Sequence, residues 1–156
     1  MKPAIRRGGA RDARAAADLY LRARDAALRA GSMPAGVRGD DDVRGYFASH
    51  IVGACELWVA EQDGALAGIL VLDGDFVDQL YVEPGLTGRG IGSALLAVAK
   101  RERPQGLRLW AFQSNTGARR FYERHGFLEV RRTDGADNEE RAPDVLYAYR
   151  TVAAPS

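Results

Sequence analysis

Leu80-Tyr81-Val82-Glu83-Pro84-Gly85-Leu86-Thr87-Gly88-Arg89-Gly90-Ile91-Gly92 decides how the rest of the chain is read. It begins as an apolar strand, passes through Pro84 and a run of glycines, and opens onto a helix-forming segment over residues 91–103. Glycine reaches backbone conformations closed to other residues. Successive amides at a helix start can therefore point at phosphate oxygens, helped by the local field of the helix. Arg89 would add a charge-assisted contact. Glycines in this spacing also occur in plain structural turns, so context must decide. The loop ends Gly-Ile-Gly-Ser, without the lysine of a Walker loop. It also lies outside a first βαβ unit, where a dinucleotide fingerprint belongs.

Working outward from the loop, residues 56–60 and 65–72 flank Asp63-Gly64, a strong hairpin signal. Asp73-Gly74-Asp75 turns the chain into a third strand over residues 76–82. Three strands joined this way form an antiparallel meander. Upstream, Ala4 to Arg7 reads as a short strand before the Gly8-Gly9 turn. A helix follows over residues 12–29, with Asp12 as its N-cap and Ala15, Leu19, Ala23, Ala26 and Ala27 at helical spacing. The arginines between them mark a solvated face. One of Asp40, Asp41 or Asp42 caps a second short helix containing Val43, Tyr46 and Phe47.

Downstream, the helix after the glycine loop turns Ala94, Leu95, Val98 and Ala99 inward, and residues 106–112 form a strand. Asn115 or Thr116 caps a last helix that Gly126 ends. Strands over residues 127–131 and 145–151 enclose a polar loop from Thr133 to Asp144. This order, with neither repeat nor linker, predicts a single α+β domain over residues 1–156.

A chain of 156 residues, 46% hydrophobic and 28% charged, can bury a sizeable core, and its net charge of +1 gives no general argument for a nucleic-acid partner. Cys55 is the only cysteine, so an intrachain disulfide is excluded and a buried free thiol is expected. No secretory or membrane-spanning run is present, which makes a cytoplasmic location, away from membranes, the expectation. No metal site is expected. Asp40 to Asp42 read as helix-start residues, and Asp134, Asp137, Glu139, Glu140 and Asp144 lack calcium-loop spacing and read as an acidic surface loop.

The arrangement resembles the GNAT superfamily of acetyl-coenzyme-A-dependent acetyltransferases. Thr87-Gly88-Arg89-Gly90-Ile91-Gly92 aligns with its pyrophosphate loop, although Thr87 stands where a Gln or Arg is usual, so the side-chain brace of that residue is not expected. Asn115-Thr116-Gly117-Ala118-Arg119-Arg120-Phe121-Tyr122-Glu123-Arg124-His125-Gly126-Phe127 follows the family's downstream Asn-x-x-Ala-x-x-Phe-Tyr-x-x-x-Gly-Phe segment. The resemblance implies a mixed central sheet with flanking helices and acyl transfer, acetyl foremost, from acetyl-coenzyme A to a primary amine of a small molecule or peptide. A coenzyme-A-binding regulatory module without turnover is the alternative. Homodimers are common among such proteins, but this sequence carries no interface signature.

The same resemblance implies a cofactor seated between the fourth and fifth strands where they splay apart. Backbone groups of Leu80 and Val82 would hold the pantetheine arm, with Asn115 beside it. The amides from Gly88 to Gly92 would take the pyrophosphate. Tyr122 matches the usual general acid, a role a hydroxyl can fill for a leaving thiolate. Asp78 is the candidate base, on one face with Phe76 and Leu80 by strand parity unless a bulge redirects it. Asp75, Glu56 and Glu83 are substitutes. His125, at a helix end, is expected to interact favourably with the helix dipole.

Overall fold

Residues 2–150 are described by the structure, a computed structural model. The meander forms as the turn chemistry dictates. β2 (Glu56–Gln62) and β3 (Ala65–Asp73) are joined by Asp63 and Gly64, both at positive φ (54° and 80°). Gly74, at φ 59°, then returns the chain into β4 (Phe76–Val82). β1 (Ala4–Arg7) adds antiparallel to β2. Beyond the glycine loop come α3 (Ile91–Glu102), β5 (Leu107–Phe112), α4 (Thr116–Arg124), β6 (Leu128–Thr133) and β7 (Asp144–Tyr149). The α1 helix (Ala13–Arg29) and α2 (Asp40–Tyr46) precede the meander. The result is one mixed sheet in the order β1-β2-β3-β4-β5-β7-β6, with helices on both faces. Residue 151, expected to end the last strand, lies outside the described residues.

Strand alternation divides the core into two layers. Leu70, Leu72, Val77, Leu95 and Phe127 pack beneath α3 and α4. Leu57, Ile69 and Val71 face the other way, towards Leu19 of α1 and Phe47 and Ile51 beyond α2. Gly68 allows the first layer to close: a Cβ there would sit 2.9 Å from both Ile91 Cγ2 and Leu95 Cδ1.

Several local expectations are corrected. The Asp12 carboxylate does not cap α1. It accepts from the preceding Gly9 amide (2.9 Å) and is gripped by the two terminal nitrogens of Arg6, Nη1 (3.0 Å) and Nη2 (2.8 Å). The buried face of α1 is Ala13, Ala16, Ala17 and Leu19, whereas Ala15 and Ala26 are exposed. Gly39 rather than an aspartate is the N-cap of α2, and the three aspartates occupy its first turn. That helix is also longer than expected, running on through a π-helical turn (Phe47–Ile51) and a final turn (Val52–Ala54). Cys55 is half-buried instead of buried. Asp144 leaves the acidic loop altogether: it is buried in β7, where Thr133 Oγ1 and Asn138 Nδ2 donate to it.

The largest departure concerns Asp78. Val71 pairs with Gln79 but Leu72 pairs with Val77, so Asp78 is the extra residue of a β-bulge. Val77 and Leu80 consequently share the α3/α4 face. Asp78 is thereby displaced from the face of Leu80 that simple parity assigned to it, towards α1 and α2.

Candidate active site

Only one register pair, Phe76 with Arg108, joins β4 to β5, supplemented by the Arg108 amide donating to Asp75 O (2.9 Å). Beyond it the strands part. The Glu83 amide donates to Ala67 O (2.9 Å), so Glu83, Tyr81 and Gln79 turn their backbone groups towards β3. By the alternation of an antiparallel ladder, Leu80 and Val82 turn theirs towards the gap. The gap is a cleft of about 100 Å³ whose lining includes Asp78, Leu80, Trp110, Asn115 and Tyr122.

The glycine loop lies beyond Val82. Gly88 (φ 78°) and Gly90 (φ 83°) are left-handed, and Gly90 is the N-cap of α3. An added Cβ at either would meet nothing within 4 Å, so conformation, not crowding, calls for glycine. The first helical bond runs from Ala94 to Gly90 O (3.0 Å). Among the described residues, no acceptor meets the amides from Gly88 to Ser93. Arg89 is exposed and makes no ion pair among these residues. The combination fits a phosphate-bearing anion. Thr87 contributes only a long contact from its hydroxyl to Pro84 O (3.5 Å).

α4 delivers the other side. Asn115 caps it, its Oδ1 accepting from the Ala118 amide (3.2 Å), which leaves the side-chain NH₂ available to the cleft. Tyr122 is buried, stacked edge-on against Phe121 and Phe127, and burial raises its hydroxyl pKa far above the ordinary 10.0. Its hydroxyl has no hydrogen-bond partner among the described residues.

The carboxylates are sorted by their partners. Asp75 is gripped by Arg108 through two bonds of 3.0 Å, which hold its pKa down. Burial pushes Glu56 up, but the Trp58 indole (2.7 Å) and Arg103 outweigh it and leave its pKa lowered. Glu83 is tied to Arg22 at 2.8 Å. Asp78, unlike Asp75 and Glu56, has a raised pKa, first from lost hydration and then from the charge of Asp73. It stays open to solvent along one edge, so that loss of hydration is partial. Asp78 and Gln79 also line a second, larger hollow of about 460 Å³ with Tyr20, Tyr46 and Glu140. Asp78 therefore stands at the junction of cleft and hollow.

His125 is outside the cleft. It sits at the C-terminal cap of α4, where its ring contacts Ser93 Oγ (3.0 Å), and burial followed by Lys100 and Arg124 lowers its pKa. Sequence reading missed Tyr20, Tyr46, Gln79 and Trp110 as wall residues. Only Trp110, a bulky residue alternating with inward-facing Leu109 and Ala111, left a periodic signal.

The fold and site together define a small α+β domain built on a split mixed sheet, with backbone amides unpartnered among the described residues at the mouth of its opening. Residues 53–129 match the family described as "Acetyltransferase (GNAT) domain". The chain is 38% identical over 71 residues to peptidyl-lysine N-acetyltransferase YiaC of Escherichia coli, covering 45% of this chain and 48% of that protein. It is 36% identical over 83 residues to peptidyl-lysine N-acetyltransferase YjaB of Salmonella typhimurium, covering 52% and 56%. The chain thus spans about half the length of these curated relatives. The solution structure of apo-form YjaB from Escherichia coli superposes with a TM-score of 0.75 at 25% identity, covering 96% of this chain and 98% of that one. The chain has the fold of the GNAT superfamily of acetyltransferases, and its residues 53–129 match that family. Among the described residues no helix is long and apolar enough to cross a membrane.

Proposed function

We propose that this protein transfers an acetyl group from acetyl-coenzyme A to a primary amine of a small molecule or a peptide side chain. The observation that carries the reading is the open β4 edge at Leu80 and Val82, facing the unpartnered Tyr122 hydroxyl and leading to the amide cradle. Acetyl-coenzyme A supplies an activated thioester carbonyl. The Gly88–Gly92 amides and Arg89 hold its pyrophosphate, while Leu80, Val82 and Asn115 hold the linear arm. Amine acceptors are supported by the two relatives named as peptidyl-lysine N-acetyltransferases.

Asp78 takes the proton that the acceptor ammonium must lose before its nitrogen can attack, directly or through a water. Its raised pKa makes it a better base than Asp75 and Glu56, whose pKa values are lowered. Tyr122 donates to the departing sulfur. An ordinary thiol has a pKa of about 8.5, well below that of buried Tyr122, so complete proton transfer would run uphill. Its contribution is a hydrogen bond that strengthens as negative charge develops on the sulfur, with solvent completing the protonation.

The test measures thiol release with a panel of lysine peptides and small amines, with product masses confirmed and acetyl-coenzyme-A affinity determined on the same sample. Turnover yielding an acetylated amine is expected. Binding without product across the panel would point instead to a coenzyme-A-binding regulatory module. A folded sample that binds no acyl-coenzyme A would overturn both.

A further inference from the structure

Three potential metal ligands, two from the end of the helix before β2 and one from the end of β3, converge on the α1/α2 face of the sheet. His50 lies in the π-helical turn that prolongs α2. Cys55 follows the last helical turn in extended conformation (φ −114°, ψ 174°), its amide donating to Ile51 O (3.0 Å). Glu56 pairs with Leu72, and continuing that register by one step sets Cys55 opposite Asp73. Parity puts both on the side of Leu57 and Val71, the side from which His50 approaches. The imidazole nitrogen, thiol sulfur and carboxylate oxygen all lie within 4.8 Å of one another.

We propose that His50, Cys55 and Asp73 bind a divalent transition-metal cation of borderline softness, Zn2+ foremost, at a site that uses none of the proposed acyl-transfer residues but lies beside Asp78. The donor set decides the class: thiolate and imidazole favour Zn2+ and disfavour Mg2+ and Ca2+, which prefer oxygen alone. Bond lengths of about 2.0–2.3 Å in a tetrahedral site bring ligand atoms to roughly 3.5 Å of one another. Closing from 4.8 Å is a matter of side-chain rotation, because His50 and Asp73 are exposed and Cys55 is half-buried. Among the described residues these three side chains form no hydrogen bond or ion pair that would have to break. His50 is steadied only by stacking on Tyr46 (4.9 Å, 23°). Three protein ligands leave the fourth position to water. Burial, then the charges of Asp73 and Asp78, raises the thiol pKa of Cys55, so binding at neutral pH displaces a proton. π-helical turns are frequent at functional sites, and this one presents His50 to the trio.

Untagged, chelator-stripped protein under reducing conditions is titrated with Co2+ and then with Zn2+. Saturation at one Co2+ per chain is expected, with a near-ultraviolet thiolate-to-cobalt band and visible bands of tetrahedral strength, all removed by stoichiometric Zn2+. Cys55→Ser should abolish the thiolate band, and His50→Ala should weaken Zn2+ binding by about 100-fold or more, beyond the usual loss of an outer partner. Circular dichroism of each variant verifies folding. Absence of saturable Co2+ binding, or spectra and affinities unchanged in folded Cys55→Ser, overturns the site. Because the readouts need no acyl donor or acceptor, failure here is distinguishable from failure of the acyltransferase reading.

Discussion

The two faces of the sheet are built by different means. On the α3/α4 face, each important position follows from its neighbours in sequence: glycines at positive φ, a capping asparagine, and an aromatic pair ending at Gly126. On the α1/α2 face, position follows from irregularity. A bulge places Asp78, a π-helical turn places His50, and a back-reaching carboxylate fixes the start of α1. The first face presents the amide cradle and Tyr122, while the second presents the hollow beside Asp78. In the proposed reading, the cofactor would be held by local geometry, whereas the base Asp78 sits on a surface that shifts with one inserted residue.

The strongest challenge to this division is Tyr122→Phe, which keeps the ring and its packing. Turnover should fall by about 10²- to 10⁴-fold with acetyl-coenzyme-A affinity retained. Single-turnover rates beside calorimetric affinities check this, and an unchanged chemical step would remove Tyr122 from its role. Gly68→Ala should come next. Its Cβ would press on Ile91, Leu95 and the Tyr81 carbonyl, costing about 1–3 kcal/mol in urea unfolding. No comparable loss is expected from Gly45→Ala in α2, where nothing lies within 4 Å.

Two smaller effects concern the α1/α2 face and have opposite signs. Arg6 holds the Asp12 pKa down to about 2 from an ordinary 3.8. A depressed carboxylate stabilises the fold above its unfolded pKa, and that stability is lost as pH falls from about 4 towards 2. Asp12→Asn should flatten the unfolding free energy across that window. Asp78 is raised, so ionising it opposes folding once pH climbs past the ordinary carboxylate range. Asp78→Asn should therefore raise the melting temperature slightly at neutral pH and leave it unchanged in acid, while slowing acetyl transfer most at low pH. A lower melting temperature at neutral pH would show that the carboxylate stabilises its surroundings instead.

Element order, the meander and the glycine loop were legible because each depends on signals within a few residues, such as Asp63-Gly64 or the Asn115 cap. The cleft could be anticipated only through family resemblance, since the parting of β4 from β5 has no local marker. Parity alone cannot settle the face of Asp78, because it assumes one partner per residue and so cannot locate a bulge. The role of Asp12 was misread for a related reason: its partners, Gly9 and Arg6, lie before the helix that it was expected to cap.

The parting of β4 from β5 also bears on aggregation. An unpaired strand edge is a template on which another chain can add, and proteins normally blunt such edges with charge, proline or cover. Here the edge lies in the middle of the sheet, with β5 and β7 continuing beyond the gap. Trp110 and Tyr122 help wall a space of only about 100 Å³ beside it. A slender arm with amide groups can take the place of a missing strand there, whereas the edge of a second folded sheet cannot enter. The narrowness that would suit the proposed ligand thereby keeps a second sheet edge from the same backbone groups.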